Sequence, residues 1–181
     1  MKRDKLNLLL KSPNNLFHTK DLALLWGITK KNTLYMTIRR YVKREVLIRV
    51  QKGFYSKVPL GQLSQLELGA GFLHSFCYIS TETILSQKGL ISQEIPYITL
   101  ISDQSKKFKI GSSLYISRKM KDNFLFNEIG IERKQNILQA SLERAVADML
   151  YFNPMYHFDA DKLIDWEKVK KIQEIIGYKR K

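Results

Sequence analysis

One segment near the start of the chain constrains the fold more than any other: residues 30–44 combine a helical apolar stripe with a cationic opposite side. The apolar members recur at helical spacing, at Leu34, Ile38, Tyr41 and Val42. This spacing predicts an amphipathic helix that buries one side and exposes the other. Thr29, directly before the segment, is a candidate N-cap.

The exposed side of this predicted helix carries side chains suited to DNA. Its members are Asn32, Met36, Arg39, Arg40 and Lys43, with Tyr35 beside the apolar stripe. Arginine and asparagine bond guanine and adenine edges in the major groove. A cationic helix face is often only solvated surface, so the neighbouring elements have to decide between the two interpretations.

The segments before this helix complete a familiar order. A short helix is predicted over residues 5–10, and a second one starts at Thr19 as its N-cap and runs to Trp26. Gly27 then suits the left-handed position that closes a helix. Two helices joined by a short glycine-containing turn, the second of them cationic, are typical of a helix-turn-helix.

A hairpin follows the cationic helix. Residues 45–50 are strand-like, Gln51-Lys52-Gly53 predicts a tight turn, and residues 54–56 begin the return strand. Such a hairpin is the wing of a winged helix-turn-helix, with Lys52 at its tip placed to touch phosphate or the minor groove. The predicted DNA-binding domain spans residues 1–58, although winged helices also bind RNA or protein.

Charge is concentrated in this domain. The first 60 residues hold 14 Lys or Arg and 3 Asp or Glu, so +11 of the chain's formal net charge of +14 lies there. A localised excess of this size indicates a polyanionic partner, and nucleic acid and an anionic membrane surface are the two candidates. Together with the order of elements, it favours double-stranded DNA.

The predicted DNA contacts fall into two groups. The cations expected to neutralise phosphates are Lys30, Lys31, Arg40, Lys43 and Lys52. The candidates for reading bases are Asn32, Thr33, Tyr35 and Arg39. Thr29 and Gln51, at the start of the helix and of the turn, complete the predicted interface.

Residues 59–181 predict a mixed α+β domain with a small sheet, so the chain as a whole is α+β. Pro59 and Gly61 mark the expected boundary. Helices are predicted at 62–76, from Ser80 or Thr81 to 87, at 139–151 and at 165–176. Short strands are predicted at 78–80, 97–101, 108–110, 114–118 and 124–126. The basic tail 178–181 is expected to be mobile.

No pattern in the sequence predicts catalysis, a metal or a cofactor. The three histidines, His18, His74 and His157, are scattered and lack the spacing of metal ligands. The single cysteine, Cys77, lies between aromatic residues and is expected to be a buried structural thiol. The start of the chain has no signal-peptide pattern and no apolar run long enough to span a bilayer, so a cytoplasmic protein without membrane contact is expected.

One cluster of charges has both an enzymatic and a structural interpretation. Glu143, Arg144 and Asp148 share a predicted helix. The two carboxylates are five residues apart, and side chains at that interval point about 140° away from each other. A structural role in capping or salt bridges is therefore favoured over a paired-carboxylate site.

Two segments of the second domain, together with the basic domain before them, resemble the AbiEi family. The first runs from Tyr78-Ile79-Ser80 to Gly89-Leu90, and the second is Ser141-Leu142-Glu143-Arg144-Ala145-Val146-Ala147-Asp148. The family pattern has Tyr-hydrophobic-Ser, then Gly-Leu, then Glu-Arg-Ala and Asp in this order. The resemblance covers nearly the whole chain and departs at Ile84, where many members have alanine.

The resemblance implies an antitoxin of the type IV, abortive-infection kind. Such proteins repress their own operon at inverted repeats in its promoter. They also counter a nucleotidyltransferase-like toxin without forming a stable complex, and the C-terminal domain carries the antitoxic activity. A winged-helix transcription regulator, or an accessory protein of nucleic-acid processing, is the alternative without an antitoxin role.

Two further hypotheses stay open. In the first, the chain is an enzyme that its winged helix tethers to nucleic acid. The lack of clustered carboxylates or metal ligands disfavours this hypothesis. In the second, the chain is an interaction module whose basic side binds a protein or an anionic lipid. The sequence favours a non-enzymatic DNA-binding repressor.

Overall fold

A computed structural model of the chain describes residues 4–134 and 136–178. The described residues form eight α-helices and two β-sheets, which confirms the expected α+β class. Contacts divide the chain into two compact units, Met1–His74 and Ser75–Lys181. Among the helices of residues 4–134 and 136–178, none has the length and hydrophobicity of a membrane span.

The described part of the first unit contains four α-helices and three strands. In chain order they are α1 (Lys5–Lys11), β1 (Leu16–His18), α2 (Thr19–Trp26), α3 (Lys31–Lys43), β2 (Ile48–Gln51), β3 (Phe54–Ser56) and α4 (Gln65–Leu73). The strands form an antiparallel sheet in the order β1-β3-β2. The predicted hairpin around Gly53 is confirmed, whereas β1 was not predicted.

The apolar stripe of α3 packs into the core of this unit. Leu34 and Ile38 are buried together with Leu22 and Trp26 of α2, and Tyr41 and Val42 pack against the same cluster. Gly27 adopts the predicted left-handed conformation at the end of α2, with φ of +62°. Because the stripe faces this core, the cationic side of α3 faces solvent.

The strand predicted over residues 45–50 starts later than expected. Glu45 has a φ of +57°, so the chain turns there before β2 begins at Ile48. The turn is held by the backbone, since the N–H of Val46 donates to the carbonyl of Tyr41 at 3.0 Å.

The division between the units falls after His74 and not between residues 58 and 59. The reason is α4, whose residues contact the first unit: Nε2 of His18 lies 2.9 Å from the carbonyl oxygen of Gly71. The rings of Phe54 and Phe72 are 5.7 Å apart in an edge-to-face arrangement. This helix is shorter than the predicted 62–76, because Ser64 caps its start.

The second unit is built on one six-stranded sheet. Its elements are β4 (Cys77–Ile79), α5 (Glu82–Gln87), β5 (Tyr97–Ser102), β6 (Lys106–Ile110), β7 (Ser113–Lys119), α6 (Asp122–Leu125), β8 (Ile131–Lys134), β9 (Ile137–Ala140), α7 (Leu142–Phe152) and α8 (Trp166–Ile176). The strand order is β6-β7-β5-β4-β9-β8. The β4–β9 and β5–β7 pairs are parallel and the others antiparallel.

Three predictions for this unit are wrong. Residues 124–126 are not a strand, since Asp122–Leu125 forms a short helix. Residues 139 and 140 belong to β9, and α7 begins only after Ser141, whose hydroxyl accepts from the N–H of Arg144 at 3.2 Å. Tyr178 of the expected mobile tail is buried, while residues 179–181 lie outside the described ranges.

Candidate nucleic-acid interface

The residues predicted to contact DNA lie on α3, on the two residues before it, and at the end of β2 with the turn that follows. The exposed ones are Thr29, Lys30, Lys31, Asn32, Thr33, Tyr35, Arg39, Arg40, Lys43 and Lys52, and Gln51 is half-buried. All of them belong to the first unit. The sequence pattern therefore located a set of solvent-facing side chains on two elements of one unit.

The N-terminus of α3 is open toward solvent. Lys30, and not Thr29, occupies the N-cap position, and no side chain caps the helix. The first turn contains no acidic residue. The N–H groups of a helix N-terminus bind anions, and here Lys30 and Lys31 add positive charge at the same place. A phosphate group is the anion that such an end accommodates in a nucleic-acid complex.

Four exposed side chains line up along α3. They are Asn32, Met36, Arg39 and Lys43, which we call the α3 ridge. Their intervals of four and three residues place them on one side of the helix. Met36 is 57% exposed, which is unusual for a large apolar side chain and suits contact with a thymine methyl group. The ridge thus combines an amide, a guanidinium, an ammonium and an apolar group.

Arg40 lies beside the ridge and borders a cleft between α1 and α3. Its guanidinium donates to the hydroxyl of Thr37 at 3.4 Å. The cleft has a volume of about 300 Å³ and is lined by Lys5, Thr37, Arg40, Tyr41, Lys43 and Arg44. Burial and the charge of Asp4 raise the pKa of Tyr41, so its hydroxyl stays protonated.

Sequence reasoning missed the two outer cations of this cleft, Lys5 and Arg44. Arg44 follows Arg40 by four residues, an interval that places both on the same side of a helix. Lys5 belongs to another helix, and only the packing of α1 against the rest of the unit brings it to α3. The cleft extends the cationic surface from the ridge toward α1.

The turn of the hairpin is held in place by the start of α2. The backbone N–H and the hydroxyl of Thr19 both donate to the carbonyl of Gly53, at 3.0 and 3.3 Å. Gly53 has a φ of +80°, a conformation that favours glycine. The expected N-cap role of Thr19 is wrong, because His18 occupies that position and its N–H donates to Asp21 at 2.7 Å. Thr19 instead fixes the turn that exposes Lys52.

The charged cluster predicted on α7 is buried and structural in its contacts. Arg144 and Asp148 are fully buried, and Nε of Arg144 lies 2.9 Å from Oδ1 of Asp148. The same carboxylate accepts from the hydroxyls of Ser80 at 2.7 Å and Tyr178 at 2.6 Å. The guanidinium also donates to the hydroxyl of Tyr78 at 2.8 Å. This network satisfies both charges inside the core.

Three backbone carbonyls complete the environment of the arginine: those of Phe124, Asn127 and Ile129. Burial raises the pKa of Asp148, although Arg144 and the two hydroxyl donors act in the opposite direction. Glu143 is not a member of the network, so the helix does not assemble a pair of carboxylates.

The other residues considered for chemistry are a cysteine and two histidines, and the rings of His18 and His74 lie together with centroids 4.3 Å apart. Cys77 is buried, as predicted, and burial together with the charge of Asp103 raises the pKa of its thiol to about 12. His18 contacts the Gly71 carbonyl and His74 contacts Asp21. Over the described ranges, no three His, Cys, Asp or Glu side chains are grouped to hold a metal ion.

Comparisons with known proteins concern the fold. No known protein family matches the chain, and no curated protein matches its sequence. Among solved structures, the RV2827C protein from Mycobacterium tuberculosis is similar, with a TM-score of 0.52 and 11% sequence identity. The match covers 93% of this chain and 69% of that chain. At this level of identity, the likeness describes a shared mixed α+β fold.

Proposed function

We propose that the chain binds double-stranded DNA through its first unit, as a winged helix-turn-helix, and represses transcription. The observation that carries the proposal is the α3 ridge, an exposed line of an amide, an apolar side chain and two cations on a helix whose other side is buried. A helix with this division of side chains is suited to lie in the major groove.

The elements around α3 support this assignment. Helices α2 and α3 are joined by a short turn that contains Gly27, and α3 is the second helix of the pair. The β2–β3 hairpin takes the part of the wing, with the exposed Lys52 in its turn. In this proposal, Arg39 and Asn32 read base edges, and Lys52 neutralises a phosphate.

Phosphate binding gives the proposal a measurable electrostatic signature. Lys30 and Lys31 lie at the uncapped start of α3, and the cleft residues Lys5, Arg40 and Arg44 lie toward its other end. Each neutralised phosphate releases a counterion, so the logarithm of the affinity falls with the logarithm of salt concentration by about 0.9 per contact.

We further propose that the repressor is an antitoxin, countering a nucleotidyltransferase-like toxin and regulating its own operon. This part rests on the resemblance to the AbiEi family. The two segments that carry the resemblance are adjacent in the second unit, where Ser80 of the first donates to Asp148 of the second at 2.7 Å. Packing thus brings residues of the two segments together.

Fluorescence anisotropy with two duplexes tests the DNA-binding proposal. One duplex is the sequence upstream of the chain's own gene, and the other is a scrambled sequence of equal composition, each titrated at several salt concentrations. We expect tighter binding to the upstream sequence and a steep negative salt slope. Equal and weak binding to both would refute a sequence-specific repressor.

Two variants separate base reading from phosphate contact. We expect Arg39→Ala to cost about 1–3 kcal/mol on the upstream sequence and much less on the scrambled one. Lys52→Ala is expected to weaken both duplexes alike and to reduce the salt slope by about 1. Lys170→Ala, an exposed lysine of α8 in the second unit, is the control for loss of one charge. An equal loss from Arg39→Ala on both duplexes would contradict its reading role.

The antitoxin proposal has its own test. The proposal expects the reading frame beside the chain's gene to be nucleotidyltransferase-like; the product of that frame is co-expressed with the chain, and growth is measured with and without the chain. We expect toxicity that the full chain relieves. Relief by the Arg39→Ala variant would show that antitoxicity does not require operator reading, and failure of the wild-type chain to restore growth would refute the antitoxin role.

A further inference from the structure

A second cationic cleft lies in the second unit, at the end of the sheet formed by β6 and β7. It has a volume of about 540 Å³, and its lining includes Lys106, Lys107, Ile116, Arg118, Lys119 and Phe152. Sites for small molecules span about 300–1,000 Å³, so the cleft is large enough for a ligand of several functional groups. It belongs entirely to the unit that does not carry α3.

All charged side chains that line this cleft are cations. Lys107 and Lys119 are exposed, and no ion pair within residues 4–134 and 136–178 neutralises either of them. The pairing of β6 with β7 brings their strands together, with Lys107 opposite Ile116 and Lys106 opposite Ser117. Two cations without an ion pair at one cavity, with Arg118 beside them, favour a ligand with more than one negative charge.

Another cation of the lining, Arg118, is held by contacts with two other side chains. The guanidinium of Arg118 bonds Oε1 of the buried Glu82, and its Cζ lies 5.5 Å from the ring centroid of Phe152. The planar guanidinium is the side-chain group best matched to phosphate. Ile116 and Phe152 add an apolar surface to the same cleft.

Glu82 also leaves a hydrogen-bond acceptor next to this arginine. Its second carboxylate oxygen, Oε2, is buried and has no hydrogen-bond partner among the described residues. Glu82 does not line the cleft, so its contribution is to hold Arg118 in the cleft wall.

We propose that this cleft binds a free nucleotide. Its phosphates lie against Lys107, Lys119 and Arg118, and its base lies on the apolar surface formed by Ile116 and Phe152. A nucleotide combines the two features that the cleft complements: several negative charges and a flat, weakly polar ring. The proposal is independent of DNA binding by the first unit.

Isothermal titration calorimetry on the full chain, in about 150 mM salt, tests this site. The probes are ATP, adenosine, and ATP in the presence of inorganic phosphate. We expect saturable binding of ATP, competition by phosphate, and little binding of adenosine. The double variant Lys107→Gln/Lys119→Gln is expected to bind ATP at least tenfold more weakly. The matched control is Lys170→Gln/Lys171→Gln, which removes the same charge from the exposed side of α8 and should bind within twofold of wild type.

Circular dichroism verifies that both double variants are folded. Absence of saturable ATP binding would overturn the proposal, as would equal losses in the two double variants, since these would indicate only a response to net charge. Loss of ATP binding in Arg39→Ala/Lys43→Ala, with retention in Lys107→Gln/Lys119→Gln, would place the site on α3 and also overturn it. The variant Lys107→Gln/Lys119→Gln is also titrated with the upstream duplex. The two proposals stay distinguishable, because ATP binding and duplex binding can each fail without the other.

Discussion

Tyr178 offers a quantitative test of the buried network in the second unit. It follows Gly177 after the end of α8, and its hydroxyl donates to Oδ1 of Asp148 at 2.6 Å. The ring stacks on Tyr151 with centroids 4.8 Å apart and meets Phe124 edge-to-face at 5.2 Å. Tyr178→Phe removes the hydroxyl and keeps these ring contacts.

The expected magnitude follows from what remains around Asp148. Its Oδ1 keeps the bond from Nε of Arg144, and its Oδ2 keeps the bond from Ser80, so no charge is left without a partner. The loss is therefore that of one hydrogen bond to a charged group, which contributes about 1.5–3 kcal/mol. We expect a value near 2 kcal/mol, well below the ~3–5 kcal/mol for breaking the ion pair itself.

Native-state amide hydrogen exchange of α7 measures this loss of stability within the second unit. A loss of about 2 kcal/mol corresponds to roughly 30-fold faster exchange of amides that open only when the unit unfolds. Tyr151→Phe is the matched control, because its ring adjoins Tyr178 and no described residue bonds its hydroxyl. We expect that variant to stay within about 0.5 kcal/mol of wild type.

The two variants together decide the outcome. Equal exchange rates in Tyr178→Phe and Tyr151→Phe would refute the reasoning, because the contribution would then come from ring packing alone. A loss near 2 kcal/mol in Tyr178→Phe only would establish that the residue after α8 stabilises the buried carboxylate.

Two further predictions concern a tight approach and a buried thiol. Gly130→Ala should destabilise the chain by at least ~2 kcal/mol in urea unfolding, because φ is +70° and the new Cβ would lie 2.8 Å from Cβ of Arg144. The control is Gly111→Ala, which has a φ of +58° and open space around it and should cost only about 1 kcal/mol. Equal costs in the two variants would contradict the packing argument. Cys77, with its pKa raised to about 12, should not react with a thiol reagent at pH 8 in the folded protein and should react fully in urea; equal rates in both states would show that the thiol is accessible.

Local patterns predicted the elements that depend on local spacing. The stripe at Leu34 and Ile38 placed α3 and its buried side correctly, and Gly27 ends α2 as expected. The capping predictions failed at Thr19 and Thr29, since a threonine near a helix start is a common N-cap but the adjacent residue takes that position in each case. Local preference did not distinguish between neighbouring cap positions.

Elements that depend on distant partners were not predictable in this way. Strand β1 has three residues and exists through its pairing with β3, in which Phe17 lies opposite Tyr55. The burial of Arg144 depends on acceptors from several separate segments, which no spacing within α7 reveals. The positions on the α3 ridge follow from spacing within one helix, whereas the cleft around Arg118 depends on the register of β6 with β7.

The strands at the two ends of the six-stranded sheet also bear on how copies of the chain behave in concentrated solution. Strand β6 at one end carries Lys106, Lys107 and Lys109, and β8 at the other end carries three consecutive exposed charged residues, 132–134. An unpaired sheet edge is a template for addition of strands from other molecules, and lysines on it oppose that addition. Two β6 edges brought together would place ammonium groups against one another. Lys107, one of the cations assigned to ligand binding, therefore also helps to protect the sheet from growing into fibrils.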